Sequence, residues 1–174
     1  LTALDEVLSR QMPHDLDAEQ AVLGSMLFDA ECIKDGLDRL LPEDFYLKQN
    51  RDIFTVAYNM FSFSKPIDPL TLAEEMRKSG VYDEQTTRSY LAQLVDFTFS
   101  SANVMDYVKI LRDKSLLRGL SRAAGEIDTM VQEGLGEASA ILEAAEQKVY
   151  AIRRGRSAQE LVPISQLIVP FLDR

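Results

Sequence analysis

Tryptophan is missing from these 174 residues, and cysteine and histidine occur once each, as Cys32 and His14. A lone cysteine excludes an internal disulfide and any cysteine-built zinc site. A lone histidine excludes a Ser-His-Asp triad elsewhere and every multi-histidine metal site. None of the eight glycines stands in a Gly-x-x-x-x-Gly-Lys-Ser/Thr or a Gly-x-Gly-x-x-Gly loop, so the usual phosphate cradles are absent from the sequence. No apolar run approaches the ~18 residues of a membrane helix. The opening LTALDEVLSR carries acids where a secretory signal carries lysines. Basic side chains are the scarcer sign: 19 against 28 acidic ones, a net charge of −9. The deficit sits in residues 1–100, with 9 basic and 18 acidic side chains, while residues 101–174 hold 10 of each. Phosphate neutralisation supplies most non-specific nucleic-acid affinity, so such a chain is a poor direct ligand for DNA. Cysteine usage fits a reducing, cytoplasmic setting.

What is present is globular composition, 46% hydrophobic and 27% charged, arranged as helices. PHDLDAEQAVLGSMLFD opens the first, with Asp15 or Asp17 as cap and Leu16, Ala18, Val22, Leu23, Met26 and Leu27 mostly on one face. Asp29 is placed to cap a shorter helix carrying Ile33, Leu37, Leu40 and Leu41, ended by Pro42. PEDFY reads as a turn presenting Phe45 and Tyr46. A third helix spans about Gln49 to Phe63, with Ile53, Phe54, Ala57, Met60 and Phe61 inward. Asp68-Pro69 starts a fourth, since aspartate caps and proline at the first helical position loses no useful hydrogen bond. Gly80 can terminate it in a left-handed conformation. Thr87 to Phe97 predicts a fifth, with Leu91, Leu94 and Val95 inward.

From Asn103 to Glu133 there is no proline, and the helical period persists through Val104, Val108, Leu111, Leu116, Leu120, Ala124, Ile127 and Val131. Gly134-Leu135-Gly136 breaks it. A second long helix follows from Glu137 to about Arg153, with Ala138, Ile141, Leu142, Ala145, Val149 and Ile152 at heptad-like spacing. The fold class predicted is therefore all-α: a small globular helical bundle followed by a long antiparallel helical hairpin. The divisions are an arm over residues 1–11, a head over 12–100, the hairpin over 101–153 and a linker over 154–174. The face formed by Leu116, Leu117, Leu120, Ala123, Ala124, Ile127 and Met130 is wider than a coiled-coil seam. Uncovered, it would be a large exposed apolar patch. Either a partner covers it, most simply a second copy, or the hairpin folds back over residues 15–100 into one core.

Candidate chemistry is thin. His14, beside Pro13, reads as a packing or capping residue. Cys32 reads as a small hydrophobe. Asp15, Asp17 and Glu19 complement a helix dipole, and Glu74 and Glu75 a solvated face. Arg153, Arg154 and Arg156 sit in a basic linker cluster. Arg112, Lys114, Arg118 and Arg122 recur at near-helical spacing, so a helical DNA-binding module is the alternative reading, with Asp106 and Asp113 close by against it. No catalytic, cofactor or metal set is identified, and this chain is not expected to be an enzyme by itself. Opening on Leu1 and stopping at Arg174 just past an apolar segment, it reads as a piece of a longer protein.

Four segments in order resemble the N-terminal region of bacterial replicative DNA helicases of the DnaB type: PHDLDAEQAVLGSML, PEDFYLKQNRDIF, PIDPLTLAEEMRKSG and ANVMDYVKILRDKSLLRGL. The similarity runs from about Met12 to Leu172. One departure is Asn50, where the DFY segment commonly has a histidine. The resemblance implies a helical head and hairpin whose copies pair through their hairpins, three pairs building the collar of a hexamer. On that basis the self-association face is Leu116, Leu117, Leu120, Ala124, Ile127, Val131, Ile141, Leu142, Ala145 and Val149. PISQLIVPFLDR resembles the family's linker segment, which implies docking of Leu167, Ile168, Phe171 and Leu172 on a neighbouring subunit's motor. Further implied are primase, through its C-terminal helicase-binding domain, and DNA, through the full hexamer; room is left for a helicase loader. A RecA-like motor beyond Arg174 would bring ATP and magnesium and unwind DNA 5′ to 3′. No membrane partner is implied.

Overall fold

Local start and stop signals lay out the helices. The computed structural model describes residues 3, 11–97, 103–134 and 136–172, with side chains described up to residue 155 and not at position 32. Helix α1 spans Leu16–Asp29, and the extended Asp15 caps it by accepting the Ala18 N–H at 3.0 Å. A 3-10 turn, Glu31–Ile33, then runs into the short α2, Lys34–Leu37. Asp29 does not cap this stretch, because α1 continues through it and the cap positions fall at Ala30 and Ile33. After a 3-10 turn at Pro42–Asp44, α3 spans Lys48–Ser62. Helix α4, Pro69–Lys78, begins with a capping box. Asp68 Oδ1 accepts the Leu70 and Thr71 N–H groups, both at 2.9 Å, and Thr71 Oγ1 accepts the Asp68 N–H at 3.1 Å. Gly80, at φ 73°, leads the chain away to α5, Thr87–Asp96. The long helices are α6, Val104–Glu133, and α7, Ala138–Leu172. Between them Gly134 and Gly136 take φ of 61° and 119°, values that cost a side-chain-bearing residue dearly. No strand occurs among the described residues. No helix among them is long and apolar enough to cross a membrane.

The chain divides into two compact units, His14–Ser115 on one side and Leu116–Arg174 with the segment ending at Pro13 on the other. In the first, the head, α1 packs on α3 and α5, and α4 on α3 and α5. Phe45, Phe54, Leu23, Met26, Ile53, Leu72, Met76, Leu91 and Leu94 are fully buried there. Val95 is not; it is 48% exposed, because the inward face of α5 is already filled by Leu91 and Leu94. Val104, Val108 and Leu111 join the same core. The boundary between units therefore falls within α6, between Ser115 and Leu116, and not where that helix begins.

Polar groups fix the irregular segment before α3. Glu19 is fully buried and serves as more than a dipole partner. Its carboxylate accepts the Tyr46 N–H and Asn50 Nδ2–H, each at 2.8 Å, and the Leu47 N–H at 3.4 Å. Arg51 Nη1 donates to the carbonyls of the same turn, Phe45 at 3.1 Å and Tyr46 at 2.6 Å. The His14 ring stacks on Tyr46 at 4.2 Å, a packing role. Asn50, also fully buried, accepts from the Tyr90 hydroxyl at 2.6 Å. Burial pushes that hydroxyl's pKa up, with the nearby Glu19 charge acting in the same sense. Asn50 is thus the bridge between a buried carboxylate and a half-buried phenol.

Helix α7 is longer than the predicted segment ending near Arg153. Its backbone stays helical through Gly155, Pro163, Ser165 and Pro170 to Leu172. A glycine costs only ~1 kcal/mol in a helix interior, and extending an established helix is easier than starting one. Leu167, Ile168, Phe171 and Leu172 lie on this backbone, but their side chains, like those of Arg156 and Cys32, lie outside the described residues.

Candidate functional site

The hairpin unit keeps its apolar residues on two kinds of surface. Where α6 and α7 meet, a glycine of α6 receives a larger side chain of α7. Gly119 stands opposite Ile152, with a built Cβ position 3.8 Å from Ile152 Cγ2, and Ala123, one turn on, is 6% exposed. Lys148 Nζ bridges to Glu126 at 3.0 Å. The pairs 119–152 and 126–148 show numbering rising on one helix as it falls on the other, which is the antiparallel arrangement. Gly119 leaves room for the Ile152 side chain, while Leu117, Leu120, Val131, Leu142 and Val149 remain exposed.

Those larger side chains form the candidate self-association face. Of the ten residues assigned to it, Leu117, Leu120, Ala124, Val131, Leu142 and Val149 are exposed, Leu142 at 61% and Val131 at 56%. Leu116, Ile127, Ile141 and Ala145 are half-buried, and none is fully buried. A groove of about 580 Å³ on this unit is lined by Ile127, Ala145, Glu146, Val149, Tyr150 and Arg153. Three of these are in the predicted face. Tyr150, 59% exposed, is not, and belongs with it. An aromatic adjoining Val149 on an amphipathic helix was the sequence signal for it.

The alternative basic face does not assemble. Arg118 is 3% exposed, and its Nη1 donates to the Pro13 carbonyl at 2.8 Å. At about 100° per residue, Arg112 stands about 160° around α6 from Lys114 and about 120° from Arg118. The geometry leaves Arg122 exposed and Lys114 and Arg112 partly covered, with no continuous cationic stripe. Among the described residues no cluster of three His, Cys, Asp or Glu side chains is placed to hold a metal ion.

Residues 11–113 match the family model for the DnaB-like helicase N terminal domain. The replicative DNA helicase DnaB of Leifsonia xyli subsp. xyli is 27% identical over 169 residues, covering 97% of this chain and 37% of its own length. That of Mycobacterium leprae is 31% identical over 173 residues, covering 97% and 28%. That of Pasteurella multocida is 34% identical over 165 residues, covering 93% and 35%. The chain thus spans about a third of the length of these curated relatives. Among solved structures, the N-terminal domain of DnaB helicase from Mycobacterium tuberculosis superposes with a TM-score of 0.75 at 30% identity, covering 81% of this chain and 99% of that one.

Proposed function

Because the chain belongs to the DnaB-like helicase N-terminal domain family, we propose that it is the self-associating, partner-docking part of a replicative DNA helicase. Copies pair through the hairpin face, and three pairs form a hexameric collar. The collar recruits primase through primase's C-terminal helicase-binding domain and accepts a loader. The whole protein, working in the cytoplasm, unwinds DNA 5′ to 3′ with ATP and magnesium in a motor following this region. The α7 side chains Leu167, Ile168, Phe171 and Leu172 dock on a neighbouring motor.

The observation that carries the reading is the exposed face of large apolar residues on the hairpin. Covering a half-exposed leucine or valine contributes roughly 1 kcal/mol. Leu117, Leu120, Val131, Leu142 and Val149 on each of two copies then supply about 10 kcal/mol. Association costs about 4–15 kcal/mol in lost freedom. The pair should therefore form in a concentration-dependent way. Sedimentation of the 174-residue chain at rising concentration is expected to show dimers. Leu120→Asp should stay monomeric with its thermal transition retained, because the charge would be desolvated only in the pair. A parent chain that stays monomeric throughout, or a variant that assembles normally, refutes the pairing. Titration with primase's C-terminal domain tests the docking role separately.

A further inference from the structure

We propose that the head carries a second docking site, a cationic groove between α4 and α5 that takes an acidic segment bearing an apolar side chain. The groove has a volume of about 410 Å³. Its floor is Ala73 and Leu91, 8% and 1% exposed, and one rim is Leu70, an aliphatic side chain 79% exposed. The only charged side chains lining it are Arg77 from α4 and Arg88 from α5. That is unusual for this unit, where His14–Ser115 holds 18 acidic and 11 basic residues, a net charge of −7. Arg77 lies over the Tyr82 ring at 4.2 Å, which orients the guanidinium. Its contacts with Glu74 at 3.8 Å and Glu84 at 3.5 Å are long and solvent-exposed, so an incoming carboxylate can replace them. Arg88 is exposed and makes no ion pair among the described residues.

Charge complementarity selects the occupant. Two arginines flanking an apolar floor match carboxylates on either side of a leucine or phenylalanine, and guanidinium groups bind carboxylates in a bidentate fashion. A basic peptide is repelled at this groove. A nucleic acid needs cations repeated along its phosphates and rings to stack on, whereas this groove offers two arginines and a Tyr82 ring already covered by Arg77. An acidic peptide segment of a partner protein therefore fits best.

The test uses the whole chain and a fluorescently labelled Asp-Asp-Leu-Asp-Asp-Phe peptide, with Asp-Asp-Ser-Asp-Asp-Ser as the charge-matched control. The expected result is saturable binding of the first peptide, weakened at least about tenfold by Arg88→Glu and weakened also by Ala92→Trp, which fills the groove from an exposed position. Both variants should keep the parent's thermal transition. Absence of binding overturns the proposal, as does equal binding of the serine control or indifference to both substitutions. Tighter binding of single-stranded oligothymidylate than of the peptide, lost in Arg88→Glu, would assign the groove to nucleic acid instead. Because the readout is peptide binding to the head, it is independent of hairpin pairing.

Discussion

Replacing Glu19 with alanine should unfold the head far more readily than any other single change to a carboxylate there. The side chain is fully buried and accepts two full-strength hydrogen bonds, from Tyr46 N–H and Asn50 Nδ2–H, plus a longer one from Leu47 N–H. Hydrogen bonds to a charged group contribute ~1.5–3 kcal/mol each, and a buried donor left without an acceptor costs ~1–3 kcal/mol. The two short bonds thus set a loss of roughly 3–6 kcal/mol. Alanine also removes a buried charge that was itself expensive to desolvate, and water entering the vacated space can satisfy some donors. The net expected loss is about 3 kcal/mol, a large share of the ~5–15 kcal/mol that holds a typical domain folded. Urea unfolding followed by far-ultraviolet circular dichroism should show a lower midpoint at unchanged slope. Thermal unfolding should show a fall of roughly 10 °C. A loss below about 1 kcal/mol, the scale of an ordinary surface contact, would mean that Glu19 is only the dipole partner its position suggests and that the turn holds itself.

Two further outcomes are smaller. The Tyr58 hydroxyl donates to Asp38 at 2.9 Å, and burial together with that carboxylate raises its pKa from 10.0 to about 12. The folded chain then holds this proton more tightly than the unfolded one, so the stabilisation is complete below pH 10 and is lost as pH rises through 12. Phenolate absorbance should show a late-ionising tyrosine that loses one phenol's amplitude in Tyr58→Phe; an unchanged late step would contradict the assignment. Asp68→Ala should lower stability by about 1 kcal/mol in urea unfolding, with Asp68→Asn nearly neutral, because either residue accepts the first-turn amides of α4.

Features written in a few adjacent residues were legible. Asp15 ahead of α1, Asp68-Pro69 ahead of α4 and the glycines at 80, 134 and 136 each determine a local backbone choice, and the helices begin and end there. The antiparallel hairpin followed from two long periodic stretches and one break. Glu19 was misread because its neighbours Asp15 and Asp17 supply a sufficient local explanation, while its partners sit 27 to 31 residues away. A signal was nonetheless present, since Glu19 occupies the helical stripe of Val22, Leu23 and Met26, where an apolar residue belongs. Val95 shows the same limit, as periodicity marks a broad face but not which side chains the neighbouring helices have room for. In the hairpin, spacing revealed the apolar stripe of α6, and only coordinates separate its half within the head core from the half that stays exposed.

The segment from Leu41 to Leu47 has almost no regular structure, yet every piece of it is held: Leu41 by Asp44, the amides of Tyr46 and Leu47 by Glu19, the carbonyls of Phe45 and Tyr46 by Arg51. Surface loops ordinarily tolerate insertion and deletion. Here one added residue would carry two amides past a buried carboxylate and leave it only Asn50 to bond, so the length of this connection should drift far less among descendants than its lack of helix would suggest.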